Sequence, residues 1–511
     1  MQYDLAVIGG GASGLGVALD AVLRGLSVVL LESYDFAKGT SSRATKLVHG
    51  GVRYLAQGNV SLVREALHER TTLLHNAPHL ARPLPFVMPC YHYWEMPFYG
   101  TGLKLYDVLA GKAGLGNTEM LGVGGTERCL PGVRTRSLKG GVKYWDGQFD
   151  DARLALTLAR TAAAQGALLV NYCAVTELLH EQGRIAGLRA KDMETGAEFQ
   201  VSARCVVNAA GVWVDEIRQK DGQAMHRSVK PMVAPSQGVH LVVDRDFLRG
   251  NHALLVPKTQ DGRVLFAVPW LGKVVLGTTD TPRHDLSREP DAFVGEVDFI
   301  LGEAGKYLSR RPMRDDVRSV WVGLRPLVRP PDDEGDNTKK ISREHTVLVS
   351  PSGMVTVTGG KWTTYRAMAE DVLAKCVEAG LFPSLPPSTT ATHVLAGAVA
   401  GKTYRATLTE TPGADAYGED AQWLRGLAGH DVVLADGLTE AMVRFAARYE
   451  YARSVEDVLA RRYRLLFLDA RLAAHVAPRV AELLREELGA DPCLDDFLRL
   501  ADHYLRLPAR A

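Results

Sequence analysis

Neither sign of charge is in excess in this sequence: 60 Lys and Arg stand against 59 Asp and Glu, a formal net charge of +1 over 511 residues. A chain so balanced carries no electrostatic footprint for nucleic acid, and none is expected as a partner. No uninterrupted apolar run reaches the roughly 20 residues a spanning helix needs. A basic segment followed by a long apolar stretch is missing from the start, where a strand begins within two residues of Met1, so no signal peptide is expected. Cysteine is sparse. The six (Cys90, Cys129, Cys173, Cys205, Cys376, Cys493) stand apart with no CxxC pair. They read as reduced structural thiols of a cytoplasmic protein, and no metal site is expected. Internal repeats and low-complexity tracts are also lacking. The length suits two or three domains.

What is present opens as a βαβ pattern. Residues 3–8 form an apolar run of strand length, 12–24 carry apolar residues at helical spacing, and 26–31 read as a second buried strand. Gly9, Gly11 and Gly14 stand as GxGxxG between the first strand and the helix. That spacing allows a tight turn, lets backbone approach a pyrophosphate and lets the helix pack on the sheet. The helix N-terminus adds N–H groups and partial positive charge for phosphates. Glu32 closes the second strand where an acid binds a ribose hydroxyl. NAD and FAD sites share this fingerprint. Two later junctions favour the flavin: Val-Val-Asn-Ala-Ala-Gly at 206–211, and Thr-Gly-Gly-Lys at 358–361. The second joins a strand to a helix whose dipole, with Lys361, suits the anionic edge of a reduced flavin.

Further along, 62–74 and 150–166 read as helices, and 83–106, rich in proline and aromatics, as irregular or sheet structure. Short strands are expected near 168 and 206. The runs 239–243, 254–257, 264–268 and 274–276 suggest a mainly antiparallel sheet, joined by 320–327 and 346–349. Residues 332–337 read as a charged loop. A strand at 355–357 leads to a helix ending near 379, 382–390 reads as a linker, and the pattern after 417 is helical. Basic and aromatic groups cluster around the Gly50-Gly51 turn as His49, Arg53 and Tyr54. Arg325 and Arg343 are further cations of the type that grips phosphate bidentately. His240 lies in a strand-like run. Taken singly, each of these is as readily a solvated charge or a core histidine.

Taken together they resemble the FAD-dependent glycerol-3-phosphate dehydrogenases of aerobic bacteria and mitochondria, within the glycine-oxidase-like flavoenzymes. The resemblance rests on Ile-Gly-Gly-Gly-Ala-Ser-Gly at 8–14, Thr-Ser-Ser at 40–42, Lys-Leu-Val-His-Gly-Gly-Val-Arg-Tyr-Leu at 46–55 and Asp-Asp-Ala-Arg-Leu at 150–154. It continues through Val-Asn-Ala-Ala-Gly-Val-Trp at 207–213, Leu-Gly-Thr-Thr-Asp at 276–280, Gly-Leu-Arg-Pro-Leu at 323–327, Gly-Gly-Lys-Trp-Thr-Thr-Tyr-Arg at 359–366 and Val-Glu-Asp-Val-Leu-Ala-Arg-Arg at 455–462. These segments span nearly the whole chain in order.

The resemblance implies FAD as cofactor, held by Gly9, Gly11, Gly14, Glu32, Ser41, Ser42, Val175, Gly211, Gly360, Lys361 and Thr363. It places Arg53, Tyr54, Arg325 and Arg343 around the substrate phosphate, and His49, His240 and Lys361 at the reacting carbon. Both histidines remain open as the base, with His240 preferred. Gln237 stands where the family often has lysine, and no role is assigned to it. The implied activity is oxidation of sn-glycerol 3-phosphate to dihydroxyacetone phosphate, with electrons passed to a quinone of a respiratory chain. An FAD-dependent oxidase using oxygen is the alternative. A quinone acceptor implies a cytoplasmic protein touching the inner face of the cytoplasmic membrane peripherally, through 91–109 with its aromatics and Lys104, or through the arginine-rich helix near Arg461. A homodimer is left open. The expected fold is α/β: a Rossmann-like FAD-binding domain from residues 1–85, 145–215 and 345–380, an inserted antiparallel-sheet substrate domain from 86–144 and 216–344, and a helical C-terminal domain over 391–511.

Overall fold

Two sheets and a helical region organise the chain. The structure, a computed structural model, describes residues 2–51, 59–260, 262–329 and 344–510. In the first sheet the order is His345–Val349, Val355–Gly359, Glu198–Asn208, Gln2–Ile8, Val28–Leu31 and Leu168–Val170. All but the first of these run parallel. Their residues are apolar on both faces because both are covered: Leu5, Val7, Val28 and Leu30 pack with the helices Ala12–Leu23, Asp151–Ala164 and Tyr365–Glu378, and Ala6, Ile8, Val29 and Leu31 pack with Leu178, Ile185 and Leu188 of the strands Cys173–Glu181 and Arg184–Asp192. The helix Asp151–Ala164 starts where Asp150 caps it, accepting the Arg153 N–H. An antiparallel hairpin, Cys173–Glu181 with Arg184–Asp192, extends the sheet from Glu198–Asn208; only isolated short strands were expected there.

The second sheet is mainly antiparallel, with Ala253–Val256 running parallel to Ala81–Cys90. Its central strand Val233–Asp244 pairs with Ser319–Val328 and Lys273–Gly277, and the order runs on through Leu265–Trp270, Ala253–Val256, Ala81–Cys90, Gly140–Phe149 and Leu47–Val48. Alternation along Val233–Asp244 sends Val239, Leu241 and Val243 into a core with the helix Val294–Tyr307. It sends Val242 to the other face, with Trp270, Trp321 and the C-terminal helices. The helical region is therefore packed against the second sheet through a shared core. Its longest helices are Ala470–Leu488 and Leu494–Leu505, and it also holds the short hairpin Val433–Ala435 with Leu438–Thr439.

The expectation for 83–106 needs correction. Strand Ala81–Cys90 is followed by a regular helix, Glu95–Ala110. Its Pro97 falls in the first turn, where a missing N–H costs nothing, so the proline does not break it. The boundaries expected at 85/86 and 144/145 fall inside the strands Ala81–Cys90 and Gly140–Phe149, each of which lies whole in the second sheet. The expected loop 332–337 lies outside the described residues.

Candidate active site

The carboxyl ends of the parallel strands carry the first part of the site. Gly9, at φ +107°, turns the chain from Gln2–Ile8 into the helix Ala12–Leu23. A β-carbon there would lie 2.7 Å from the Ala209 carbonyl oxygen, and one on Gly14 would overlap the Gly9 carbonyl. Only glycine fits both positions, and the result is a helix N-terminus brought against the sheet edge. Beside it opens a cleft of about 370 Å³.

Gly9, Gly11, Glu32, Ser41, Val175, Gly211, Gly360 and Lys361 line this cleft. The Glu32 carboxylate accepts the Gly10 N–H at 2.7 Å and the Tyr34 N–H at 2.9 Å. Burial pushes its pKa up, and those two donors pull against the rise. Ser41 accepts the Ala12 N–H at 2.9 Å through its hydroxyl, and its carbonyl accepts from Trp362 Nε1 at 2.8 Å. Thr358 donates to the Gly211 carbonyl at 3.1 Å. The two glycine junctions read from the sequence are thus tied to each other across one cleft, with Gly359 and Gly360 at φ +82° and +71°.

Besides Gly14, which packs the helix on the sheet, two expected cofactor residues sit off the wall. Ser42 is buried, and its carbonyl accepts from Lys46 Nζ and Arg464. The Thr363 hydroxyl accepts the His49 N–H at 3.3 Å. Both lie beside the cleft as supports rather than on its wall. Conversely, the wall includes residues that sequence reasoning missed. Arg288, from the segment between Thr281–Pro282 and the helix Val294–Tyr307, reaches over from the second sheet. Its guanidinium stands 3.5 Å from the Trp213 ring centroid and 5.1 Å from that of Tyr34. Nothing local in a mixed-charge loop singles Arg288 out; only the docking of the two sheets brings it there.

The second part of the site is on the second sheet. His240, opposite Trp321 on one side and Gly277 on the other, stacks on Trp321 at 4.1 Å between centroids with an interplanar angle of 17°. Its Nε2 is 3.0 Å from the Thr45 hydroxyl, and its Nδ1 is buried without a hydrogen-bond partner. Burial, then Lys46 and Arg325, hold the imidazole pKa well below its usual value, so the ring is neutral. Arg325, on Ser319–Val328, passes over Gly238 and donates to Thr279 O at 2.9 Å, Gln237 O at 3.2 Å and Asp280 at 3.3 Å. The guanidinium is held in one orientation beside His240. His49 is brought instead to the Lys361–Thr363 turn. Arg53, Tyr54 and Arg343 lie outside the described residues. Gln237 points to the opposite face, where it donates to Glu296 at 2.5 Å and accepts from Arg283 at 2.6 Å. A polar network towards the helix Val294–Tyr307 accounts for it.

A parallel sheet with two glycine junctions over one cleft, and a histidine and an arginine on an adjoining antiparallel sheet, define a flavin-dependent oxidoreductase. The comparisons agree. Residues 4–366 match the family described as FAD dependent oxidoreductase, and residues 388–493 match the C-terminal domain of alpha-glycerophosphate oxidase. The mitochondrial glycerol-3-phosphate dehydrogenase of Rattus norvegicus is 40% identical over 522 residues, covering 96% of this chain and 71% of that protein. The human counterpart is 39% identical over 524 residues, with the same coverage. The glycerol-3-phosphate dehydrogenase of Bacillus halodurans, solved with FAD, superposes with a TM-score of 0.78 at 30% identity, over 100% of this chain and 96% of that one. The L-alpha-glycerophosphate oxidase of Mycoplasma pneumoniae shares the fold, with a TM-score of 0.58 at 17% identity over 76% of this chain and 98% of that one. The chain belongs to the FAD-dependent glycerol-3-phosphate dehydrogenase family, and its cofactor is FAD.

Proposed function

We propose that the protein oxidises sn-glycerol 3-phosphate to dihydroxyacetone phosphate and delivers the electrons to a quinone. One observation carries the first half: a buried histidine, His240, and a cation held by hydrogen bonds, Arg325, share one face of the second sheet beside the loop that lines the FAD cleft, in surroundings that disfavour a charged imidazole. When bound, FAD supplies the acceptor for the hydride from C2. His240 takes the proton of the C2 hydroxyl, for which a neutral imidazole is suited. Arg325 holds the phosphate, with Arg53, Tyr54 and Arg343 as the further candidates from the sequence. His49, brought to the Lys361–Thr363 turn by its backbone N–H, is the other candidate for the base, and Lys361 offsets negative charge at the pyrimidine edge of the cofactor. Reduction of bound flavin by sn-glycerol 3-phosphate without oxygen tests this reading. Rapid bleaching is expected, with glycerol a very poor substitute, and equal kcat/KM for the two would remove the phosphate from the scheme.

The quinone is supported by two features. The one complete dinucleotide fingerprint, at Gly9–Gly14, is taken by FAD, which leaves none for NAD. On the helix Glu95–Ala110 and the turn before it, Tyr93, Trp94, Phe98 and Val108 are 79%, 58%, 66% and 75% exposed, with Lys104 also in solvent. Such a surface suits peripheral contact with the inner face of an anionic membrane, where quinone resides. Among the described residues no helix is long and apolar enough to cross a bilayer. The match of residues 388–493 to an oxidase domain keeps the oxygen-using reading alive. Reoxidation separates them: fast with a soluble quinone analogue, slow with oxygen and absent with NAD+ is expected, whereas peroxide formed at the quinone rate would favour the oxidase.

A further inference from the structure

Lys46 has no part in that scheme, yet its side chain has no exposed surface and its backbone sits at φ +66°, a conformation non-glycine residues disfavour. The ammonium donates to the Ser42 carbonyl at 2.7 Å and to Asp151 at 2.8 Å. It also stands 4.6 Å from the ring centroid of Trp321, 5.0 Å from Trp270 and 5.3 Å from Phe467. Trp321 is the ring on which His240 stacks. An indole face attracts cations, so Trp321 alone would stabilise a protonated His240. With the Lys46 ammonium already on that indole, a second positive charge there is repelled. The residue before Lys46 makes the other contact: the Thr45 hydroxyl lies at 3.0 Å from Nε2 while Nδ1 has no partner. An imidazole that donates from Nε2 to Thr45 keeps its lone pair at Nδ1.

We propose that Thr45 and Lys46 are positioning residues for His240: Lys46 keeps the ring uncharged, and Thr45 holds its single proton on Nε2, leaving Nδ1 to accept the substrate proton. The inference rests on the reading of His240 as the base. In that step the C2 O–H bond breaks, its proton goes to Nδ1, the C2–H electron pair leaves as hydride to the flavin, and C2 becomes a carbonyl.

The charged groups around the ring are Lys46, from the loop before Leu47–Val48, and Arg325, from Ser319–Val328. Lys273–Gly277 brings Gly277 against the ring with no side chain. Behind Lys46 stand Asp151, Asp150 and Arg464. Burial first, and Arg464 second, bring the Lys46 pKa down to about 7. The ammonium is therefore charged below that point, which is where an imidazole of ordinary pKa about 6.5 would take up a proton.

The test uses holoenzyme labelled at histidine Cε1 and the ring nitrogens, with the His240 signals identified by their loss in His240→Asn. Wild-type His240 is expected to stay uncharged at the pH where a free imidazole takes up its proton. Lys46→Met is expected to shift its pKa upwards towards the ordinary imidazole value, with burial and Arg325 still holding it below, and to make anaerobic flavin reduction fall more steeply than in wild type as the pH is lowered from about 8 to about 6. Lys46→Arg should keep the wild-type profile. Thr45→Val should mix the two tautomers in the nitrogen spectrum and slow flavin reduction with FAD affinity unchanged, and Thr45→Ser should restore both. The spectra read the ring and the reduction rate of His240→Asn reads the base, so failure of one is told apart from failure of the other. A wild-type His240 that titrates near its ordinary value, or a Lys46→Met enzyme with unchanged His240 titration, overturns the proposal. Should Lys46→Met not retain FAD, an unchanged tautomer in Thr45→Val overturns it instead.

Discussion

The cofactor cleft and the seam behind it are built on opposite plans. One wall of the cleft is backbone and small residues close together in sequence, Gly9, Gly11, Ala12 and Ser13, with Gly211 and Gly360 also on it. The seam, where the C-terminal helices meet the rest of the molecule, is made of buried charges far apart in sequence. Asp35 is bound by both Arg461 and Arg462, Glu450 by Arg153 at 2.8 Å, and Asp151 by Lys46 and Arg464. Arg461 also bonds Glu456, which holds Lys38 at 2.6 Å, a residue of the cleft wall. A buried charge is tolerated only with its partner in place. The cleft depends on the absence of side-chain atoms, whereas the seam depends on their exact pairing, and a single chain of contacts joins the two.

That contrast can be broken at either end. The largest effect is expected at Gly14→Val, whose β-carbon would overlap the Gly9 carbonyl. The protein should purify without flavin, and a normal 450 nm band would refute the close approach. Next is Arg462→Met, which leaves Asp35 buried with half its compensation. Denaturant unfolding should show a loss of about 3–5 kcal/mol, largely recovered when Asp35→Asn is added, because an unpaired buried charge rather than a missing contact is the cost. Full loss in the double variant would mean the packing, not the charge, matters.

A smaller effect is expected from acid. His79, buried in the same seam near Arg153 and Arg160, has its pKa lowered by burial and by those cations to about 3. Its unfolded value is about 6.5, so below that pH the unfolded chain binds a proton that the folded one refuses. Stability should fall as pH drops below 6.5, by about 1.4 kcal/mol per pH unit for this group, and His79→Gln should flatten the slope. The depressed carboxylates Asp35 and Glu456, the latter at about 2, act in a lower window. Their contribution is present above their unfolded values and is lost as pH falls towards the folded ones. The smallest effect belongs to the cleft. Lys361→Met should lower the flavin midpoint potential, weaken sulfite binding and slow reduction; about 1.4 kcal/mol on a two-electron couple is about 30 mV. Unchanged potential, sulfite affinity and rate would make Lys361 a bystander on the wall.

The sequence by itself determined the nucleotide half of this protein. Glycine spacing, a strand on either side and an acid at Glu32 are local features, because the turn, the helix start and the second strand are written within about 30 residues. The junction at Gly359–Lys361 was legible for the same reason. The family resemblance named His240 and Arg325, but their partners were not readable. Thr45 and Lys46 approach His240 only because the loop before Leu47–Val48 crosses the face of the second sheet, and Trp321 because its strand pairs with Val233–Asp244 in that register. The helix Glu95–Ala110 was obscured by proline, glycine and aromatics, whose low helix propensity was overridden by burial of Leu103 and Tyr106. Arg288, the seam of Asp35 with Arg461 and Arg462, and the neutrality of His240 were decided by tertiary structure alone. Each depends on which charges are brought together out of water, and desolvation has no period or spacing that a sequence displays.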